Sequence, residues 1–276
     1  MPIVLALGAS LSWGFGDFFG PLKGRTLGTL RVLLYVEVFG LVPIAVVVAA
    51  RGQGTDKAAV LLAIPAAIIG TTGLYAYFRG AAIGALSILS PIAGVSAVVP
   101  VVFGIATGDQ PSTTQLAGMA CALVGVFFTS WTPGRIGGRF AAGAGYALIA
   151  AICFGAYFPA MHAAGHADYW WATLIFRLTS TTLVLAIVLT RRPLPALGVP
   201  LLDLPMLAAV GVADTLGNLC FAAASVGGLV SVTSVLASLY PIVTVVLARM
   251  ILRERVARSQ EGGIVLTLLG IALISA

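Results

Sequence analysis

Long apolar runs, separated by short polar or charged breaks, fill this sequence from end to end. Windows of about 20 residues, the length of helix that crosses a lipid bilayer, resolve ten runs. They are Ile3–Pro21, Gly28–Ala50, Ala58–Phe78, Ala81–Thr107, Thr113–Trp131, Ala142–Ala163, Tyr169–Leu189, Leu204–Ala224, Gly228–Leu252 and Ser259–Ala276. The breaks carry turn and charge signals, at Lys23–Arg25, Arg51–Lys57, Arg79-Gly80, Gly108–Ser112, Pro133–Arg139, Gly165–Asp168, Arg191–Pro195 and Arg253–Arg258. Ser225–Gly228 is the faintest of them. The pattern predicts helices throughout, with no soluble domain and no long linker.

The runs fall into two matching sets. Gln115-Leu116-Ala117-Gly118, continuing to Gly125-Val126, returns 145 positions later as Gln260-Glu261-Gly262-Gly263, continuing to Gly270-Ile271. Gly84-Ala85-Leu86 and Ser87–Ser90 return 144 positions later as Gly228-Leu229-Val230 and Ser231–Ser234. Trp13-Gly14 matches Phe154-Gly155 at a shift of 141, and Leu30-Arg31-Val32 matches Phe176-Arg177-Leu178 at 146. Small loop insertions account for the drift. Five spans per set is an odd number, so the second set enters the membrane from the opposite side. The expected fold is an all-α integral membrane protein, with ten transmembrane helices in two inverted-topology five-helix repeats, residues 1–139 and 140–276. Membrane machines built this way hold their binding site between the repeats.

Composition agrees. Sixty per cent of residues are hydrophobic and 9% charged, far too little charge for a soluble domain of 276 residues. The 33 glycines and 14 prolines would disrupt a soluble helical core, whereas spanning helices tolerate both. The net charge of +6 comes mainly from loop residues that fix orientation, so no nucleic-acid partner is expected. Eleven Lys and Arg follow odd-numbered spans and two follow even-numbered ones, which puts both termini outside. Cys121, Cys153 and Cys220 lie inside apolar runs and read as packing residues rather than a disulfide or metal set. The first run has no basic leader and no small-residue cleavage site, and is expected to remain as a helix.

Ser12-Trp13-Gly14, Arg31 and Ser87–Pro91, with Ser231 to Tyr240-Pro241 and Arg253-Glu254-Arg255 leading to Gly270, resemble the drug/metabolite transporter superfamily, EamA-type ten-helix branch. Gly16–Phe18 and Ala213-Asp214 through Asn218 look like one sub-branch of it. The resemblance implies alternating access around a central cavity, lined chiefly by the first, third and fourth helices of each half. It also implies termini on the cytoplasmic side, against the charge count.

Asp17, Glu37 and Asp214 are carboxylates inside predicted spans, where a charge costs about 2.5–3.5 kcal/mol unless it faces a polar cavity or a partner. Asp214 and Asn218, four apart, share a helix face and suit an amine, a hydroxyl or a proton, or else a packing hydrogen bond. Asp17 follows a Gly-Phe-Gly stretch and precedes Pro21, which allows either a cavity position or a wet helix end. Glu37 is expected to pair with an arginine or polar neighbour and lock packing. Trp13, Tyr75, Tyr77, Tyr157 and Tyr240 are the aromatics placed to stack on a planar or cationic solute. Arg31 and Arg177 occupy matching places near the start of the second helix of each half, to snorkel toward headgroups or to serve as alternating gates.

Pro21 and Pro159 are expected to interrupt the first helix of each half, and Pro91, Pro100 and Pro241 to bend the fourth and ninth. Gly8, Ser12, Gly16 and Gly20 form a small-residue stripe. Gly118 with Gly125, and Gly263 with Gly270, are each two turns apart on one face, for joining the halves or for a dimer. Trp170 and Trp171 read as an interfacial belt. His162 and His166 lack an acid between them on the helix, so neither a metal nor a cofactor is expected.

No nucleotide-binding loop and no catalytic constellation is visible, so the chain is not expected to be an enzyme. The expected function is secondary active export of small organic metabolites or amino-acid-like solutes, by alternating access in the inner (cytoplasmic) membrane. Drive would come from protons, a cation or the solute gradient itself. The alternatives are a flippase for lipid-linked sugars and, in another class, a non-transporting membrane scaffold or receptor. The expected partners are a small-molecule substrate and the bilayer, with the protein a monomer or homodimer.

Overall fold

A computed structural model describes residues 1–54, 60–82, 95–130, 140–191, 197–253 and 257–275. Among them every regular element is helical: α1 (Pro2–Leu27), α2 (Thr29–Arg51), α3 (Ala63–Ala82), α4 (Val98–Thr107), α5 (Thr113–Ser130), α6 (Phe140–Thr190), α7 (Leu204–Gly227), α8 (Val230–Ala237), α9 (Tyr240–Leu252) and α10 (Arg258–Ser275). Short 3-10 turns, Val95–Ala97 and Leu201–Asp203, precede α4 and α7. Five helical stretches are long and apolar enough to cross a membrane: Pro2–Leu27, Thr29–Arg51, Gly145–Thr190, Leu201–Gly227 and Val230–Leu252. The outer surface is apolar, with Val4, Leu11, Val46, Val102, Leu148, Ile152 and Leu268 all exposed, while Arg177 and Glu37 are buried. That distribution suits a lipid surround.

Several boundaries differ from the sequence reading, beginning with the breaks expected at Lys23–Arg25 and Arg79-Gly80, which lie inside α1 and α3. Pro21 and Pro159 do not interrupt their helices; α1 and α6 run through them. Pro21 has no N–H to give the carbonyl four residues back, that of Asp17, but the lost bond does not end a helix held by its neighbours. The expected loop at Gly165–Asp168 shrinks to one extended residue, Asp168, at which α6 kinks between residues 140–167 and 169–190. Asp168 accepts from the backbone N–H of Trp170 at 2.8 Å and of Trp171 at 3.2 Å, the geometry of a helix N-cap. The ninth span is two helices, α8 and α9, parted at Ser238-Leu239. Pro241 therefore sits in the first turn of α9, where no N–H is needed, rather than at a bend. Pro100 is likewise in the first turns of α4 and buried; Pro91 lies outside the described residues.

α1 lies along α7, α3 along α6, and α5 along α10. The last pair explains the repeated Gln-x-x-Gly text. Gln115 reaches back to the N–H of Ser112 (3.0 Å) and Gln260 to that of Ala257 (2.9 Å), closing the first turns of α5 and α10. The glycines then let the two helices touch. A Cβ on Gly118 would stand 2.8 Å from the carbonyl oxygen of Gly270, and one on Gly125 would stand 2.8 Å from that of Gly263. Contacts that run 118 to 270 and 125 to 263 make the two helices antiparallel. Gly14 and Gly155 show a second correspondence. A Cβ on Gly14 would meet Val243 and the Tyr240 carbonyl; one on Gly155 would meet Val99 and the Ser96 carbonyl. Both partner pairs are 144 positions apart.

Candidate functional site

The packing of α1 on α7 and of α3 on α6 leaves a cavity between the pairs, containing about 550 Å³ of non-atom space including the part open to solvent. Helices from both the N-terminal and the C-terminal parts of the sequence wall it. Trp13, Asp17, Glu37, Gly70, Thr71 and Leu74 come from α1, α2 and α3. Facing them are Phe154, Tyr157, Phe158 and Phe176 of α6, Asp214 and Asn218 of α7, and Tyr240 at the head of α9. Gly70 keeps that wall thin: a Cβ there would already lie 3.2 Å from the rings of Phe176 and Tyr157.

One side is aromatic and cross-braced. The Trp13 indole N–H donates to Asn218 Oδ1 at 3.3 Å, and the Tyr157 hydroxyl donates to the same oxygen at 2.9 Å. Trp13 and Tyr157 meet edge to face at 6.0 Å between centroids, and Tyr157 and Phe176 do so at 5.6 Å. Asn218 thus orients two rings from two other helices. α7 can come close enough because position 217 is glycine, which the Trp13 ring covers.

The other side is charged. Arg177, on the second arm of α6, is completely buried and forks between two carboxylates. Its Nη1 donates to Glu37 Oε2 at 2.9 Å, and its Nη2 donates to Asp214 Oδ2. Glu37 also accepts from the Ser180 hydroxyl at 2.5 Å. Gly40 makes room: a Cβ there would lie 3.3 Å from the guanidinium carbon and 2.8 Å from the Gly211 carbonyl. A buried triad of this kind holds only while each charge keeps its partner. Asp17 stands outside it. Its carboxylate has neither ion pair nor hydrogen bond with any described residue, and the side chain is 8% exposed in the cavity wall. The Thr71 hydroxyl, also lining the cavity, is buried without a hydrogen-bond partner among the described residues.

Six of the eight residues proposed for solute contact line this cavity: Trp13, Asp17, Tyr157, Asp214, Asn218 and Tyr240. Tyr75 and Tyr77 do not. Tyr77 is buried, with its ring 6.1 Å from that of Phe154, and Tyr75 packs half-buried against the same core cluster. Asp17 is not at a wet helix end, since α1 continues ten residues beyond it to Leu27. Arg177 does not snorkel. The arm that carries it starts at residue 169, eight residues earlier, or about 12 Å of helix, so matching Arg31 in sequence does not match it in depth. Arg31 itself donates to the Gly198 carbonyl at 3.1 Å, far from the cavity. Glu37 reaches the cavity wall, where a pure packing role was expected. The sequence reading missed Thr71 and the ring wall of Phe154, Phe158 and Phe176, which no one-dimensional signal separates from ordinary core.

A fold match supports this architecture. The chain is similar to a solved protein titled only "Crystal structure of protein", with a TM-score of 0.74 at 15% identity over 97% of this chain and 94% of that one. No curated protein matches. The sequence model of the EamA-like transporter family matches residues 1–131 and 141–276, nearly the whole length. The chain belongs to the EamA-like transporter family, multi-pass membrane proteins that carry small solutes.

Proposed function

We propose that the chain is a secondary transporter that exports small organic, amino-acid-like solutes by alternating access between two inverted five-helix halves, residues 1–139 and 140–276. One observation carries the reading: described residues of both halves enclose a shared polar and aromatic cavity amid helices whose outer faces are apolar. Inversion is supported by the antiparallel glycine contacts of α5 and α10, and by the matched partners of Gly14 and Gly155. The gap between the two family matches falls at the same boundary. These glycine seams join the halves within one chain, so a monomer suffices for transport. Because the halves correspond, exchanging their conformations would open the cavity to the other side of the bilayer.

The solute would occupy the space between Asn218 and Asp17, and proton movement on a wall carboxylate would couple it to the proton gradient. A lipid-linked sugar fits less well, because its phosphates would face three carboxylates with no free cation among the lining residues. Reconstitution into proteoliposomes with a counterflow assay across amino acids, amines, nucleosides and sugars tests the proposal. Saturable exchange of one class that is lost in Asp214→Asn supports it. No exchange of any class, or scrambling of lipid alone, overturns it.

A further inference from the structure

Among the described residues the cavity is lined by three carboxylates and by no basic side chain. Arg177, just behind the wall, already divides its guanidinium between Glu37 and Asp214. With Asp17 added, three carboxylates stand against one guanidinium among the described residues, in a region where charge separation is costly. An anionic head would find no unengaged cation among the lining residues and would add to the excess. A cationic head would reduce it. The acceptors on offer point the same way: the Asp17 carboxylate and the Thr71 hydroxyl both line the cavity and are buried, with no hydrogen-bond partner among the described residues. The rest is ring surface. Trp13 and Tyr157 have turned their polar hydrogens to Asn218, so the cavity meets them as π faces and edges, beside Phe154 and Phe176. Aromatic faces around a carboxylate recognise ammonium groups.

We infer that this cavity selects a protonated organic amine with an apolar body, its ammonium countered by Asp17 and hydrogen-bonded at Thr71 while the body lies against the aromatic wall. The inference rests on the transporter reading and narrows its solutes to amines that carry no carboxylate beside the ammonium. The Arg177 triad is the fixed part of the site; Asp17 is the charge left open for the ligand.

The test is calorimetric titration of the detergent-solubilised full chain with 2-phenylethylamine, phenylacetate and 2-phenylethanol, which share a body and differ in the charge of the head. The amine should bind saturably and the other two should not. Asp17→Asn should weaken amine binding at least about 30-fold, the loss expected when one partner of a buried charge pair is neutralised, while Asp17→Glu should restore most of it. Phenylacetate binding as well as the amine, no saturable amine binding, or unchanged affinity in Asp17→Asn each overturns the inference. The comparison of three heads uses the unaltered protein, so it stands even where Asp17→Asn does not fold. Counterflow separates the two readings. Exchange of another solute without amine binding overturns this inference and leaves transport intact, whereas amine binding without any exchange supports the selectivity and removes the transport reading.

Discussion

Arg177 reaches from the second arm of α6 to Glu37 on α2, Nη1 to Oε2 at 2.9 Å, at a point where the two side chains are 0% and 1% exposed. The same guanidinium also holds Asp214 on α7, so three helices are tied by one planar group. Lysine could not replace it, because a point ammonium lacks the fork that reaches two carboxylates at once.

Removing that hub should be more damaging than removing either arm. Arg177→Met leaves the buried Glu37 and the partly buried Asp214 without their counter-charge, and a loss of about 3–5 kcal/mol is expected. Glu37→Gln keeps an acceptor for the guanidinium and should lose less. Replacing all three by apolar residues, Arg177→Met with Glu37→Met and Asp214→Leu, should return much of the stability while leaving the cavity without function. Thermal unfolding in detergent, read beside counterflow, checks the split. Arg177→Met melting with the unaltered protein would mean the triad contributes little to the fold.

The glycine seam should be equally unforgiving for a different reason. Gly125→Val would place branched carbons where the Gly263 carbonyl already lies 2.8 Å from a bare Cβ, and backbone cannot swing aside as a side chain can. More than about 3 kcal/mol is expected, with Gly262→Val, which has open space around its Cβ, as the neutral control. Equal melting temperatures for the two variants would dissolve the seam argument.

How far the sequence reached depends on whether the signal was local. The duplication, the seam glycines and the small-plus-polar character of Asp214 and Asn218 are written in adjacent letters, so they were legible. The triad was not. Glu37 and Arg177 stand 140 positions apart, and apolar sequence carries no mark of depth along a helix. Depth was set by Asp168, which starts the second arm early by capping it, and a single-residue cap just after Gly165 reads like any loop. Tyr77 was misplaced because an aromatic in a span has no face until its neighbours are known. It lies about 120° around α3 from Thr71, turned toward the core rather than the cavity.

Asp168 offers a test of that capping. Asp168→Ala removes both the N-cap and the partly exposed pair with Arg51, whose Nη1 lies 3.3 Å from Oδ1, and should cost about 1–2 kcal/mol. Asp168→Asn keeps the cap acceptor and loses only the charge, so under about 1 kcal/mol is expected. Chemical unfolding of the two variants ranks them. Asn as harmful as Ala would assign the effect to the ion pair instead of the cap.

The proposed inversion of the two halves makes a prediction about sides that does not depend on any solute. Counting spans, the break at Gly108–Ser112 and the segment at residues 197–200 face opposite sides of the bilayer, since three spans separate them. Cysteines placed singly at Ser112 and at Gly198, both exposed, in a background with Cys121, Cys153 and Cys220 changed to alanine, should react with an impermeant maleimide from opposite sides of intact cells and inverted vesicles. The excess of basic residues after odd-numbered spans makes Gly198 the cytoplasmic one. Labelling of both from a single side would mean an even number of crossings between them. The two halves would then run parallel, and the exchange of conformations on which alternating access depends would have no symmetry to act through.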